Sequence, residues 1–195
     1  MLAPDLRGHG SIPKGKEMGL AHYAADVMEL DDRWDLVVAH SLGSAVVLAA
    51  GLGTSHWTKR LVLQDLAILG SDDPDVVGWL LQEFDDPITS ETIAASNPTW
   101  HIKDVELKAE DLMQCGPEAI HRTMEDNGSQ NLWDELMAIN VPTLLIGADP
   151  AFGALLPPPS QARPRGRPIC TSGTKWLPAS LILCTVMSTT LIGHS

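Results

Sequence analysis

The sequence predicts an α/β fold, a parallel sheet flanked by helices and interrupted by a block of short helices, and three observations carry the prediction. Short apolar runs rich in β-branched residues alternate with stretches of helical period, the pattern of strands joined by crossover helices. One such run, DLVVA at 35–39, passes through His40-Ser41-Leu42-Gly43 straight into a small-residue apolar segment. A proline-punctuated acidic block between residues 70 and 127 then interrupts the alternation.

Taken in order, residues 2–10 begin apolar and run into PDLRGHG, rich in turn residues and charge. Residues 19–33 place Leu20, Tyr23, Ala24, Val27 and Leu30 on one face at helical spacing, with Asp26, Glu29 and Asp31 off it. The run 35–39 reads as a buried strand. Residues 42–52, LGSAVVLAAGL, suit a helix buried against a sheet, and RLVLQ at 60–64 suits the next strand. Four short helices are expected over about 73–84, 89–96, 104–114 and 117–125, with Ser90-Glu91 and Gly116-Pro117 as starts, because proline suits a first helical turn. A further helix over 130–139 and a buried strand at PTLLIG, 142–147, complete the pattern.

The chain has 195 residues and a net charge of −12. The charge is uneven: residues 1–150 carry −16, while residues 151–195 contain no acid and carry +4 from Arg163, Arg165, Arg167 and Lys175. This balance argues against nucleic-acid binding, which needs clustered cations. Cys115, Cys170 and Cys184 are too few and too dispersed for a disulfide scaffold. The charged start, MLAPDLRGHG, lacks the apolar core of a secretion signal, so an intracellular setting, cytoplasmic or mitochondrial, is expected. Residues 176–193 are uncharged, but Pro178 and Ser188-Thr189-Thr190 argue against a membrane anchor. The organisation expected is a core with the elbow at 1–69, a lid at 70–127, a core segment ending in a strand at 128–156, and a divergent, poorly ordered tail at 157–195.

Chemistry centres on Ala39-His40-Ser41-Leu42-Gly43. A strand, a sharp turn and a helix in succession form the context of a nucleophile elbow, where small residues two before and two after the serine let the backbone fold tightly. Ala39 and Gly43 supply them. Ser41 is the candidate nucleophile, and the Leu42 N–H, at a helix N-terminus, the candidate oxyanion donor. The competing role for Ser41 is that of an ordinary helix cap. His9 reads as shaping its turn and His40 as helping to orient the elbow. No HExxH and no helical histidine pair suggests a metal, and none is expected.

The segments LAPDLRGHGSI, VVAHSLGSAVVLAAG and VPTLLIGADP resemble the α/β-hydrolase family over about residues 2–150, in its ester- and lipid-hydrolysing type. The resemblance implies a partial α/β-hydrolase fold with residues 70–127 as its small helical lid, a serine that attacks a carbonyl, a histidine base and an acid that orients it, in the chain order serine, acid, histidine. On that pattern Asp149 matches the acid, with Asp65, just after RLVLQ, as the alternative. Gly193-His194 is the G-H pair in the right order, making His194 the candidate base; the alternative is an incidental terminal histidine. The chain starts at the strand the family places fourth, which implies a missing second oxyanion donor and a bare sheet edge. The implied substrate is a small ester or lipid-like acyl compound, with no cofactor and with Trp79, Leu80, Phe84 and Trp100 as candidates for the acyl pocket. A non-catalytic binding or scaffold protein, or an unstable fragment, is the alternative function.

Overall fold

The described residues of the computed structural model are 2–13, 15–30, 34–51, 57–71, 73–148, 154–155 and 189–193, and they hold four strands and seven α-helices. Asp149, His194 and the linker and tail positions 156–188 lie outside them.

Three strands run parallel as expected: β1 (Trp34–His40), β2 (Leu61–Gln64) and β3 (Thr143–Ile146), with β2 in the middle. Their ends are in register, His40 opposite Gln64 and Gln64 opposite Ile146. In β2, Leu61 and Leu63 are buried while Val62 and Gln64 are half-buried, the alternation that one tightly packed face produces.

The fourth strand, β4 (Thr189–Gly193), departs from the expected arrangement. It pairs antiparallel with β1, giving the order β3-β2-β1-β4. The edge of β1 that the sequence leaves bare is therefore covered. An edge strand presents a row of unpaired N–H and C=O groups, and any extended segment that reaches it gains a ladder of hydrogen bonds.

Helix α1 (Leu20–Met28) buries Leu20, Tyr23, Ala24 and Val27, the face read from the spacing. It packs on α2 (Leu42–Ala49), which packs in turn on β1. All of Leu42–Leu48 is buried, so α2 is enclosed on every side, and Gly43, Ser44 and Ala45 let it approach its neighbours closely.

The acidic block folds as α3 (Pro74–Leu81), a 3₁₀ turn (Gln82–Phe84), α4 (Ser90–Ser96), α5 (Ile102–Cys115) and α6 (Pro117–Asn127). Each start has a local cause. The Asp73 carboxylate accepts from the Asp75 N–H, Thr89 and Thr92 form a capping box, and Pro117 opens α6 behind Gly116 at φ 73°. Helix α7 (Trp133–Ala138) leads into β3.

The helical block has a small core of its own, Ile93, Val105, Ala109 and Leu112, and the buried Lys108 ammonium donates to Glu83 at 2.6 Å. The four residues proposed for an acyl pocket are divided among different surroundings. Leu80 and Phe84 pack on the main core, Phe84 also touches the smaller core, Trp100 packs on the smaller core, and Trp79 is half-exposed.

Helix α6 is tied to the core by polar contacts over more than a hundred residues of sequence. Asn127 Oδ1 accepts from the Leu20 N–H at 2.7 Å, and Nδ2 donates to the Met18 carbonyl at 2.9 Å. Asp126 Oδ2 accepts from the Met18 N–H at 2.7 Å. Tyr23 and Thr123 share a hydrogen bond of 2.7 Å. Gly19 offers α1 no side-chain cap, so Asn127 at the end of α6 supplies one. Asn127→Ala orphans partly buried groups on two elements and is expected to cost about 1–3 kcal/mol in urea unfolding. Gln114→Ala, which loses only an exposed contact to Glu110, should stay within about 0.5 kcal/mol.

Candidate active site

Ser41 sits where sheet becomes helix. Its N–H donates to the Gln64 carbonyl at 3.0 Å and extends the β1–β2 ladder by one bond. Its carbonyl accepts from Ser44 at 3.0 Å and Ala45 at 3.3 Å and begins α2. Both conditions are met only by a reversal at this residue, whose backbone lies at φ 50°, ψ −119°. A side chain rarely tolerates that region, and such strain costs of order 1–3 kcal/mol.

The side chain makes no capping hydrogen bond to α2. This disposes of the helix-cap reading, since a capping serine has extended backbone and bonds the second or third helical N–H. Ser44 was not singled out by the sequence, yet it closes the turn from below: its buried hydroxyl donates to the Ala39 carbonyl at 2.8 Å. Leu42 opens the helix, where the first N–H groups have no partner within the helix and point out of its positive end.

Asp65, immediately beyond the end of β2, is level with Ser41. It is buried, has φ 43°, and donates its N–H to the Ile146 carbonyl at 2.7 Å. Its Oδ1 accepts from the backbone N–H of Leu155 at 3.0 Å and, at 3.4 Å, from that of Ala148. Ala148 directly precedes Asp149 in the chain, and the candidate acid itself lies outside the described residues.

His194 is likewise outside them, but the strand before it is described. Gly193 pairs with Trp34, at the opposite end of β1 from Ser41. At the rise of an extended strand that is a separation of about 20 Å. His40 is buried and belongs to the β1–β2 register rather than to the outward side of the elbow.

The PDLRGHG turn buttresses α1. Arg7 grips Asp26 with two charge-assisted bonds, Nε to Oδ2 at 2.6 Å and a terminal nitrogen to Oδ1 at 2.5 Å. Asp5 accepts from the Ser11 N–H and hydroxyl, and Gly10, at φ 52°, runs so close that a Cβ there would lie 2.3 Å from the Asp5 carboxylate. His9 is buried and donates from Nδ1 to the Arg7 carbonyl at 2.9 Å, leaving Nε2 as a buried acceptor without a partner among the described residues. Burial holds its pKa below the ordinary 6.5, against the opposing pull of the Arg7 carbonyl and the Asp5 charge.

Among the described residues, no group of three or more His, Cys, Asp or Glu is placed to hold a metal ion, and no helix is long and apolar enough to cross a membrane.

Comparisons with known proteins follow the same architecture. A model described as the alpha/beta hydrolase family matches residues 1–179, further than the roughly 150 residues over which motifs are legible. An N-formylmaleamic acid deformylase of Pseudomonas putida is similar in structure at 21% identity and TM-score 0.59, over 74% of this chain and 61% of that one. A hydrolase of Pseudomonas aeruginosa matches at 24% identity and TM-score 0.54, over 74% and 59%. An enol-lactonase of Burkholderia xenovorans matches at 20% and 0.53, over 73% and 59%. The chain thus spans about 60% of the length of these solved relatives. A search of the curated proteins gave no match.

Two outcomes test the local physics. Ser41→Gly, which relieves the backbone, should be more stable than Ser41→Ala by about 1–2 kcal/mol in chemical unfolding. For His9 only the unfolded chain takes up a proton just below pH 6.5, so stability is full above that pH and falls as pH drops toward the lower folded value. His9→Gln should flatten that part of the pH–stability profile; an unchanged slope would assign it to other groups.

Proposed function

We propose a serine-hydrolase function from an established premise: the chain belongs to the alpha/beta hydrolase family. The observation that carries the proposal is the backbone of Ser41, strained, uncapped and set between the end of a strand and the start of a helix. In this reading the substrate is a small carboxylic ester or acyl compound. Ser41 Oγ bonds to its carbonyl carbon while the hydroxyl proton passes to a base. The Leu42 N–H faces the developing oxyanion. The alcohol leaves with the proton, and water then cleaves the acyl-enzyme.

Asp149 is the proposed acid, one residue beyond the Ala148 that Asp65 holds. The base assignment of His194 rests on chain order alone, because Gly193 lies at the far end of β1. That register favours a second reading, a non-catalytic binding protein built on the same fold.

Turnover of p-nitrophenyl acetate decides between them. Catalysis predicts hydrolysis above the buffer rate, lowered about 10³-fold or more in kcat by Ser41→Ala. His194→Ala should match that loss if His194 is the base and change nothing if it is not. Folded protein with no turnover would favour the binding reading.

A further inference from the structure

We propose that Asp65 is a positioning residue whose buried carboxylate holds both ends of the loop that carries Asp149. The proposal rests on the hydrolase reading above, and it gives Asp65 a role other than that of the catalytic acid.

Ala148 and Leu155 flank the loop in sequence, and one oxygen of Asp65 accepts from both of their N–H groups, at 3.4 and 3.0 Å. A carboxylate oxygen has two lone-pair sites. Oδ1 uses both on backbone, so this oxygen is committed to the loop and is not open to an imidazole. The placement is enforced from three directions. The Asp65 N–H is tied to the Ile146 carbonyl, Gln64 before it is paired with both His40 and Ile146, and the residue is 2% exposed. A buried carboxylate is costly unless its oxygens are satisfied, and charge-assisted bonds from backbone N–H groups are strong enough to order a chain segment.

The positive φ of Asp65 fits the same role. Like Ser41 beside it, Asp65 turns the backbone sharply at the end of a strand, and aspartate is among the few residues besides glycine that enter this region readily. Two adjacent parallel strands thus each end in a residue of reversed backbone. One presents a hydroxyl; the other directs a carboxylate across to the loop after β3. Because the Ser41 N–H bonds to the Gln64 carbonyl, the Ala148 and Leu155 amides that Asp65 holds are tied through β2 to the strand end that bears Ser41.

The test combines amide hydrogen exchange with kinetics in Asp65→Ala, Asp65→Asn and Asp149→Asn. In the wild type the Ala148 and Leu155 amides should be protected. Asp65→Ala should abolish that protection and lower kcat about 10²-fold with KM little changed, since the acid is misplaced rather than removed. It should also move the acidic limb of the pH–kcat/KM profile downward, the direction set by Asp149→Asn, because a displaced acid no longer stabilises the protonated base. Simple loss of folded protein would scale the rate and leave that limb in place. Asp65→Asn keeps the shape with a neutral acceptor; should the alanine variant not fold, faster exchange at both amides with kcat within about tenfold of wild type carries the proposal. Protection that survives in the variants overturns it. So does an Asp65→Asn variant as inactive as Ser41→Ala alongside an active Asp149→Asn, which would make Asp65 the acid. A folded wild type with protected amides and no turnover overturns the hydrolase reading and the positioning role with it, and the exchange result tells that failure from the others.

Discussion

Ser41 belongs to two hydrogen-bonding systems at once. Its N–H completes a sheet ladder and its carbonyl begins a helix, so the chain must reverse within a single residue. Much around it follows from that demand. The positions two before and two after it have to be small, and Ala39 and Gly43 are. The helix that leaves the turn must run down against β1 and is buried along Leu42–Leu48. The first turn needs a tie to the strand it has just left, and the buried Ser44 hydroxyl provides it at the Ala39 carbonyl. With its backbone committed in both directions, the serine side chain is released from capping duty.

The same logic of polar groups satisfied at a distance holds helix α6 to the core. Helix α1 begins with glycine and has no cap of its own, so Asn127 and Asp126 reach across from the end of α6 to the loop before it. Arg7 binds the same helix from the other side through Asp26. Tyr23, buried beneath both, has its hydroxyl pKa pushed up to about 12 by burial, and it remains a neutral partner for Thr123 at physiological pH. An acidic, proline-broken segment that would be a poor domain by itself is thereby made part of the wall around the core.

What was legible in the sequence was whatever short-range physics determines. The spacing of Leu20, Tyr23, Ala24 and Val27 located α1, Ser90-Glu91 and Gly116-Pro117 located the starts of α4 and α6, and β-branched runs located β1, β2 and β3. The strand, serine and helix were visible in order, but pattern alone left the capping reading open; the backbone angles and the missing cap bond remove that reading, and the nucleophile role stays a proposal. Three features were not legible because they join distant residues. Asn127 meets Leu20 across 107 positions, Asp65 meets Ala148 and Leu155 across 83 and 90, and β4 takes the free edge of β1 in the direction opposite to its neighbours. A sequence motif specifies which residues can bend or bond, and only the fold decides which remote group they bond to.

The proposed function stands on Ser41 as the nucleophile, set at a strained, uncapped turn between strand and helix. Incubating the folded protein with a fluorophosphonate and mapping the adduct by peptide mass spectrometry tests this most directly. The account predicts a single phosphonyl group per chain, carried on Ser41. Folded protein that remains unmodified, or an adduct on any other residue, would contradict it.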